Sequence, residues 1–189
     1  GASRLASAYR AFGFGEPTGI DIPGERVPPV PDAAWKRTRF NMAWYPGDSA
    51  NMAIGQGFVT VTVAQLARAV SAIANGGTLP VLHLRKRDSP PGGRQTGLAP
   101  SALKAAADAM RDAVTGGTAT ACNLPDVFVA AKTGTAQLPG KRDFSWVASF
   151  ARLPAGTIAV AGVVEEGGFG AEAALPVACD VYRNALQWN

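Results

Sequence analysis

Residues 130–137 read Ala-Ala-Lys-Thr-Gly-Thr-Ala-Gln, and four of them could do chemistry. Lys132 brings a cation, Thr133 and Thr135 bring hydroxyls, and Gly134 leaves a position without a side chain. The residues before them are apolar, so the group falls at the end of an expected strand. Alternate side chains of a strand share a face. Lys132 and Gly134 therefore take one side, Thr133 and Thr135 the other. A glycine lets another backbone lie close, and an edge strand can pair with an extended peptide through main-chain hydrogen bonds. A lysine and hydroxyls suit a carboxylate, and a backbone N–H can point at a developing oxyanion. The combination suits holding a peptide C-terminus during acyl transfer. Three residues alone recur by chance, and an ordinary turn after a strand can carry the same letters.

The elements that must position this group follow from periodicity. Leu5, Ala8, Tyr9 and Phe12 have helical spacing. Glycines and prolines then make residues 13–25 an extended, turn-rich connection, and residues 26–46 read as irregular, anchored by Trp35 and Trp44. The clearest helix is TVAQLARAVSAIANGG, with Leu66, Val70 and Ile73 in one stripe, Thr60 or Thr62 as cap and Asn75-Gly76 as a left-handed stop. LPVLHL reads as a short strand, and the Pro/Gly-rich stretch after it as a loop. SALKAAADAMRDAVTGG is a second helix, with Leu103, Ala107, Met110 and Val114 on one face, Ser101 as cap and Gly116 as stop. VFVAAKTG, FSWVASFA and TIAVAGVVE read as three successive antiparallel strands, and AEAALPVACDVYRNALQ as a helix covering them. The fold class is α+β, an antiparallel sheet with packed helices.

Composition bounds the rest. With 189 residues and 47% hydrophobic content, the chain can bury one sizeable core, so residues 1–189 read as a single domain. A net charge of +4 without a basic stripe interleaved with aromatics gives no support to nucleic acid as a partner. Cys122 and Cys179 lack metal-ligand spacing and have only His83 to help, which argues against zinc. They could form one disulfide in an oxidising compartment or stay as two buried thiols. No apolar run approaches the roughly 20 residues of a membrane span, and no signal peptide opens the chain. If the natural protein is exported or anchored, those parts lie outside the chain.

The sequence resembles the transpeptidase domain of penicillin-binding proteins. AAKTGTAQ is similar to the third active-site motif of that family. GDSANMAIGQGFVTVTVAQLARAVSAIANGG resembles the segment that leads into its long helix, and FGFGEPTGIDIPGE the segment after its second motif. The order is kept from about residue 4 to the C-terminal helix. The ending KTGTAQ is most similar to class B members of the elongation type. The resemblance implies a partial transpeptidase fold of the penicillin-binding-protein and serine β-lactamase kind. It implies that Lys132 shapes the charge of the site and helps bind the substrate carboxylate. Thr133 and Thr135 would bind that carboxylate or its β-lactam equivalent. The Thr135 N–H would form half of the oxyanion hole, and Gly134 would keep the strand open to the ligand.

That family also needs a nucleophilic serine with a lysine one helical turn later, and a Ser-x-Asn loop, both upstream of the lysine strand. A serine stays a weak nucleophile until a base takes its proton. The strings Ser101–Lys104 and Ser49–Asn51 fit these patterns but come in the wrong order. Ser101 is expected as a helix cap, and Ser49 lies inside another landmark. The chain therefore reads as the C-terminal part of the domain, starting just after the second motif, with the nucleophile elsewhere. FSWVASFA departs from the family's usual Ala-Trp-Phe-x-Gly there.

Other residues carry less. His83 reads as a half-buried strand histidine, and Trp146 as a core aromatic that could also line the site. Glu165 and Glu166 read as a solvated strand end, and Arg85–Arg87 as a solvated loop. The implied function is D,D-transpeptidation of peptidoglycan stem peptides with β-lactams as mimics. The compartment would be the outer face of the bacterial cytoplasmic membrane, and no metal or organic cofactor is implied. Expected partners are the upstream half of the domain and, by resemblance, wall elongation or division proteins. An exposed sheet edge predicts a dimer or a weakly stable monomer. The alternatives are a noncatalytic sensor or scaffold with the same fold, and a serine β-lactamase, which shares the lysine strand but less often carries GQGFVTVT.

Overall fold

The computed structural model describes residues 1–86, 88–89 and 91–187. Its elements are α1 (Ala2–Ala11), α2 (Ala33–Phe40), α3 (Pro46–Ala53), α4 (Val63–Ala74), β1 (Thr78–Leu79), β2 (Arg94–Gln95), α5 (Pro100–Gly116), a 3-10 turn (Thr120–Cys122), β3 (Phe128–Ala136), β4 (Phe144–Leu153), β5 (Gly156–Val164) and α6 (Ala174–Ala185).

The three long strands form an antiparallel meander in the order β3-β4-β5. Lys132 stands opposite Ala148, Gly134 opposite Trp146 and Thr135 opposite Ser145. Helices cover both faces, so both strand registers are largely apolar. On one face Val129, Ala131, Val147 and Ala151 pack against Leu175, Ala178 and Tyr182 of α6. On the other, Ala130 and Phe150 pack against Val70 of α4 and Ala107 and Met110 of α5. The α5 stripe is buried as its spacing predicts. Where α5 passes β3, Arg111 donates from Nη1 to the Val129 carbonyl at 3.0 Å.

Cys122 and Cys179 form a disulfide that ties the 3-10 turn to α6. Tyr182 is wholly buried, and its hydroxyl lies 2.7 Å from Ser149 Oγ across the helix–sheet interface. Burial pushes the Tyr182 phenol up, and the Ser149 hydrogen bond offsets only part of that.

One helix, α2, interrupts the segment 26–46 that reads as irregular, and a second, α3, begins where it ends. In α2, Asp32 caps the start by accepting from the Trp35 N–H, and Asn41 ends the helix in the left-handed region. In α3, Pro46 opens the helix and the side chain of Asp48 accepts from the Tyr45 N–H. Both helices are short and only weakly amphipathic, so periodicity does not reveal them, although their caps are visible in the sequence. Lys36 of α2 is 3% exposed and its ammonium pairs with Asp48 at 2.6 Å.

Ser101 does not cap α5. The cap of α5 is Ala99, with Pro100 at the first helical position, and Ser101 lies inside the helix. LPVLHL forms no strand beyond Leu79. Pro80 cannot donate to a ladder, and the chain instead ties to residues 18–21 through Leu82 N–H to the Thr18 carbonyl and Leu84 N–H to Asp21. His83 is therefore not a strand residue; its ring Nδ1 lies 3.0 Å from the Arg85 carbonyl. Of the basic run Arg85–Arg87, Arg85 is exposed and Arg87 lies outside the described residues.

α4 starts at Thr62, whose hydroxyl accepts from the Gln65 N–H while the Gln65 side chain accepts from the Thr62 N–H. Gln65 and Arg68, both buried, also hold the extended segment 13–25: Gln65 donates to the Glu16 carbonyl, and Arg68 to the Glu16 carboxylate and the Pro17 and Pro80 carbonyls. These bonds, with Phe14 packed against the Ala6, Val30 and Met52 cluster, position that segment. No described helix is long and apolar enough to cross a membrane.

Candidate functional site

The end of β3 lies in a cleft of about 1030 Å³. Lys132–Leu138 form one wall, and residues 54–57 and 59–61 with Leu66 form another. Trp146 of β4, Thr118 and the turn Phe169–Glu172 complete it. All four residues singled out from the sequence, Lys132, Thr133, Gly134 and Thr135, line this cleft.

Alternation along β3 decides which backbone groups face the open edge. In an antiparallel ladder the N–H and C=O of one residue point to the same side. The Thr133 carbonyl accepts from the Lys132 ammonium, and the Thr135 carbonyl accepts from Gln56 Nε2 at 3.3 Å. Together with Val129, bonded to Arg111, this directs the odd-numbered residues away from β4. The Thr133 and Thr135 N–H groups therefore point to the edge as well. Lys132 is exposed, and its ammonium stays at that edge.

The two threonine side chains share the α6 face, and both are held. Thr133 Oγ1 lies 2.9 Å from Thr118 Oγ1, and Thr135 Oγ1 accepts from the Gly170 N–H at 3.4 Å. Ser145, opposite Thr135, is buried; it donates to the Phe169 carbonyl at 3.0 Å and accepts from the Ala174 N–H at 2.9 Å. Ser145 thus locks the 169–174 turn onto the sheet beside the threonines. Gly170 packs so closely that a Cβ there would lie 2.5 Å from the Gly134 carbonyl oxygen. At Gly134 itself an added Cβ would meet Trp146 Cβ at 3.3 Å. The space at Gly134 is thus bounded by Trp146, which lines the cleft and is not wholly core.

Gly55 and Gly57 both have positive φ, and the backbone turns they allow carry Gln56 to the β3 edge. Thr118, Gln56, Ser145 and Gly170 were not identified from sequence. Each is a small or polar residue whose role depends on a neighbour far along the chain, and no local pattern marks it.

The two serine strings lie apart from the cleft. Ser101 is exposed on α5, and Lys104 is paired with Asp108 at 2.6 Å. Ser49 Oγ accepts from Trp44 Nε1 at 2.9 Å, a structural bond. Neither serine lines the cleft. Glu165 and Glu166 are exposed where β5 ends.

The sequence matches the penicillin binding protein transpeptidase domain over residues 1–187. It is 31% identical over 199 aligned positions to the peptidoglycan D,D-transpeptidase MrdA of Acinetobacter baumannii, covering 92% of this chain and 30% of that protein. The fold superposes on Pseudomonas aeruginosa PBP2, solved in complex with WCK 5153, with a TM-score of 0.88 and 33% identity, covering 99% of this chain and 44% of that one. It superposes on Helicobacter pylori PBP2, solved in complex with MreC, with a TM-score of 0.85 and 31% identity, covering 100% of this chain and 36% of that one. The chain thus spans about a third of the curated relative and less than half of each solved neighbour. These MrdA and PBP2 matches support the elongation-type resemblance and do not favour the β-lactamase alternative. The helix-covered meander, the lysine-threonine-glycine strand lining its cleft and the match along almost every residue agree, and the chain belongs to the penicillin-binding-protein transpeptidase family.

Proposed function

We propose that this chain supplies the substrate-binding strand of a peptidoglycan D,D-transpeptidase, within one domain completed by sequence outside the chain. The observation that carries the reading is the open edge of β3. There Thr133 and Thr135 turn their N–H groups outward and place their hydroxyls on the α6 face, while the Lys132 ammonium reaches the edge at the Thr133 carbonyl. An extended stem peptide lies along this edge as an added strand. Its terminal carboxylate, or that of a β-lactam, is held by the two hydroxyls and the lysine charge. The Thr135 N–H is one donor to the oxyanion that forms when a serine attacks the D-Ala-D-Ala amide. D-Alanine leaves with a proton, and an amine of a second stem takes the acyl group. Neither Ser101 nor Ser49 is placed for the attack, so the serine and its base come from outside the chain.

The family relation supports an elongation role, and the PBP2–MreC complex of H. pylori supports a protein partner of that kind. The Cys122–Cys179 disulfide supports an oxidising compartment, in keeping with the outer face of the cytoplasmic membrane. The outer edge of β5 has no partner strand among the described residues. In isolation the chain is expected to self-associate there, and a monomer by sedimentation equilibrium would argue against that.

The test is intact-mass spectrometry with a β-lactam. The isolated chain is expected to take up no adduct, and the full-length protein that carries it one adduct per molecule. Thr133→Val or Thr135→Val in the full-length protein should slow acylation about 10-fold or more, from the loss of a hydrogen bond to a charged group. An adduct on Ser101 or Ser49 of the isolated chain would overturn the assignment of the nucleophile. A full-length protein that never acylates would favour a noncatalytic scaffold.

A further inference from the structure

We infer that Thr118 is a positioning residue for Thr133, and that the Cys122–Cys179 disulfide anchors the turn that presents it. The inference rests on the reading of Thr133 as a residue that binds the substrate carboxylate.

The turn is built to hold Thr118 in one place. At Gly117 an added Cβ would lie 2.8 Å from the Ala113 Cα, so only glycine lets the chain fold back against the last turn of α5. Ala119 is fully buried, and its N–H donates to the Ala113 carbonyl at 2.9 Å. Three residues later Cys122 is bonded to Cys179 of α6, and Arg183 of α6 donates to the Ala121 carbonyl at 3.2 Å. Thr118 therefore sits between a glycine turn and a segment stapled to the covering helix. Its side chain meets Thr133 Oγ1 at 2.9 Å.

The chemistry of two hydroxyls sets the direction of that bond. A hydroxyl carries one proton and two acceptor sites. If Thr133 donates its proton to a carboxylate, it can only accept from Thr118. The order becomes Thr118 to Thr133 to ligand, and each bond polarises the next. Thr118 thus fixes the Thr133 rotamer and strengthens its donor without touching the reacting atoms.

The experiment measures acylation of the full-length protein by a fluorescent penicillin, resolved into the saturation constant and the limiting rate. Thr118→Val keeps the shape and removes the donor. It is expected to raise the saturation constant about 3- to 10-fold, the effect of one hydrogen bond, with the limiting rate little changed. Thr118→Ser should restore binding. In a Thr133→Val background, Thr118→Val should cost nothing more. C122A/C179A should show the same loss, and Arg183→Met a smaller loss in the same direction.

Wild-type binding by Thr118→Val, while Thr133→Val is impaired, overturns the positioning role. Additive losses in the double variant also overturn it. Wild-type behaviour of Arg183→Met together with wild-type binding by a folded C122A/C179A overturns the anchoring. If C122A/C179A does not fold, unchanged Arg183→Met alone overturns it. Wild-type binding by Thr133→Val sinks the underlying reading of the carboxylate site, and this inference with it.

Discussion

Gly170 lies against the backbone of Gly134, close enough that a Cβ at position 170 would reach within 2.5 Å of the Gly134 oxygen and 2.8 Å of its nitrogen. The two glycines are 36 positions apart and join the β3 strand to the turn before α6. The contact involves main chain on the β3 side, so no side chain can rotate away to relieve it. Gly170→Ala is expected to cost about 1–3 kcal/mol, the usual range for overpacking a close contact. Because the Gly170 N–H also holds Thr135 Oγ1, the variant should slow β-lactam acylation of the full-length protein. Urea unfolding and acylation kinetics check the two effects separately.

The disulfide closes a stretch with a sequence separation of 57 between Cys122 and Cys179. Loop-closure entropy for that length corresponds to about 4 kcal/mol of stabilisation. C122A/C179A should therefore lower the urea midpoint substantially, and an unchanged midpoint would show that the unfolded chain is already restricted there.

Tyr182 and Ser149 form a buried polar pair, so Tyr182→Phe leaves the Ser149 hydroxyl with one partner fewer. The expected cost is about 1–2 kcal/mol at neutral pH. Burial raises the phenol of Tyr182 above its usual value, so the folded state favours the neutral form. Its contribution is complete below about pH 10, the unfolded value, and is lost as pH rises toward the folded one. Wild-type stability should fall more steeply than that of Tyr182→Phe in this alkaline range, as read from denaturation midpoints.

At the acid end, Asp48 is held below the usual carboxylate range by the Lys36 ammonium and the Tyr45 N–H. Asp32 is lowered by the Trp35 N–H and by Arg10. A depressed folded value means that the unfolded chain takes up protons first as pH falls. Both aspartates contribute fully above about pH 4, and the contribution disappears as pH drops through their folded values. Asp48→Asn should lower the melting temperature at pH 7 and flatten its decline below pH 4. A parallel decline in both proteins would show that Asp48 is not a source of the acid sensitivity.

The elements that local chemistry dictates were legible in the chain. The stripes of α4 and α5, the Thr62 cap, the three β-rich strands and the covering α6 follow from period and propensity. The alternation of β3 already separates Lys132 and Gly134 from Thr133 and Thr135. The short helices α2 and α3 were missed because their apolar stripes are faint and only their caps signal them. LPVLHL was misread because apolar content alone does not show that Pro80 breaks the ladder.

Tertiary structure decided what pairs with what. Whether Cys122 and Cys179 bond depends on the 3-10 turn meeting α6, which spacing does not determine. Which edge of β3 is open depends on β4 and α5 occupying the other positions around the strand. Thr118, Gln56 and Gly170 join the site only because the chain folds back from 15 to 79 positions away. Local sequence sets how each segment can bend and which face it must bury. A binding site needs several such segments at hydrogen-bond distance, and that distance is set by packing.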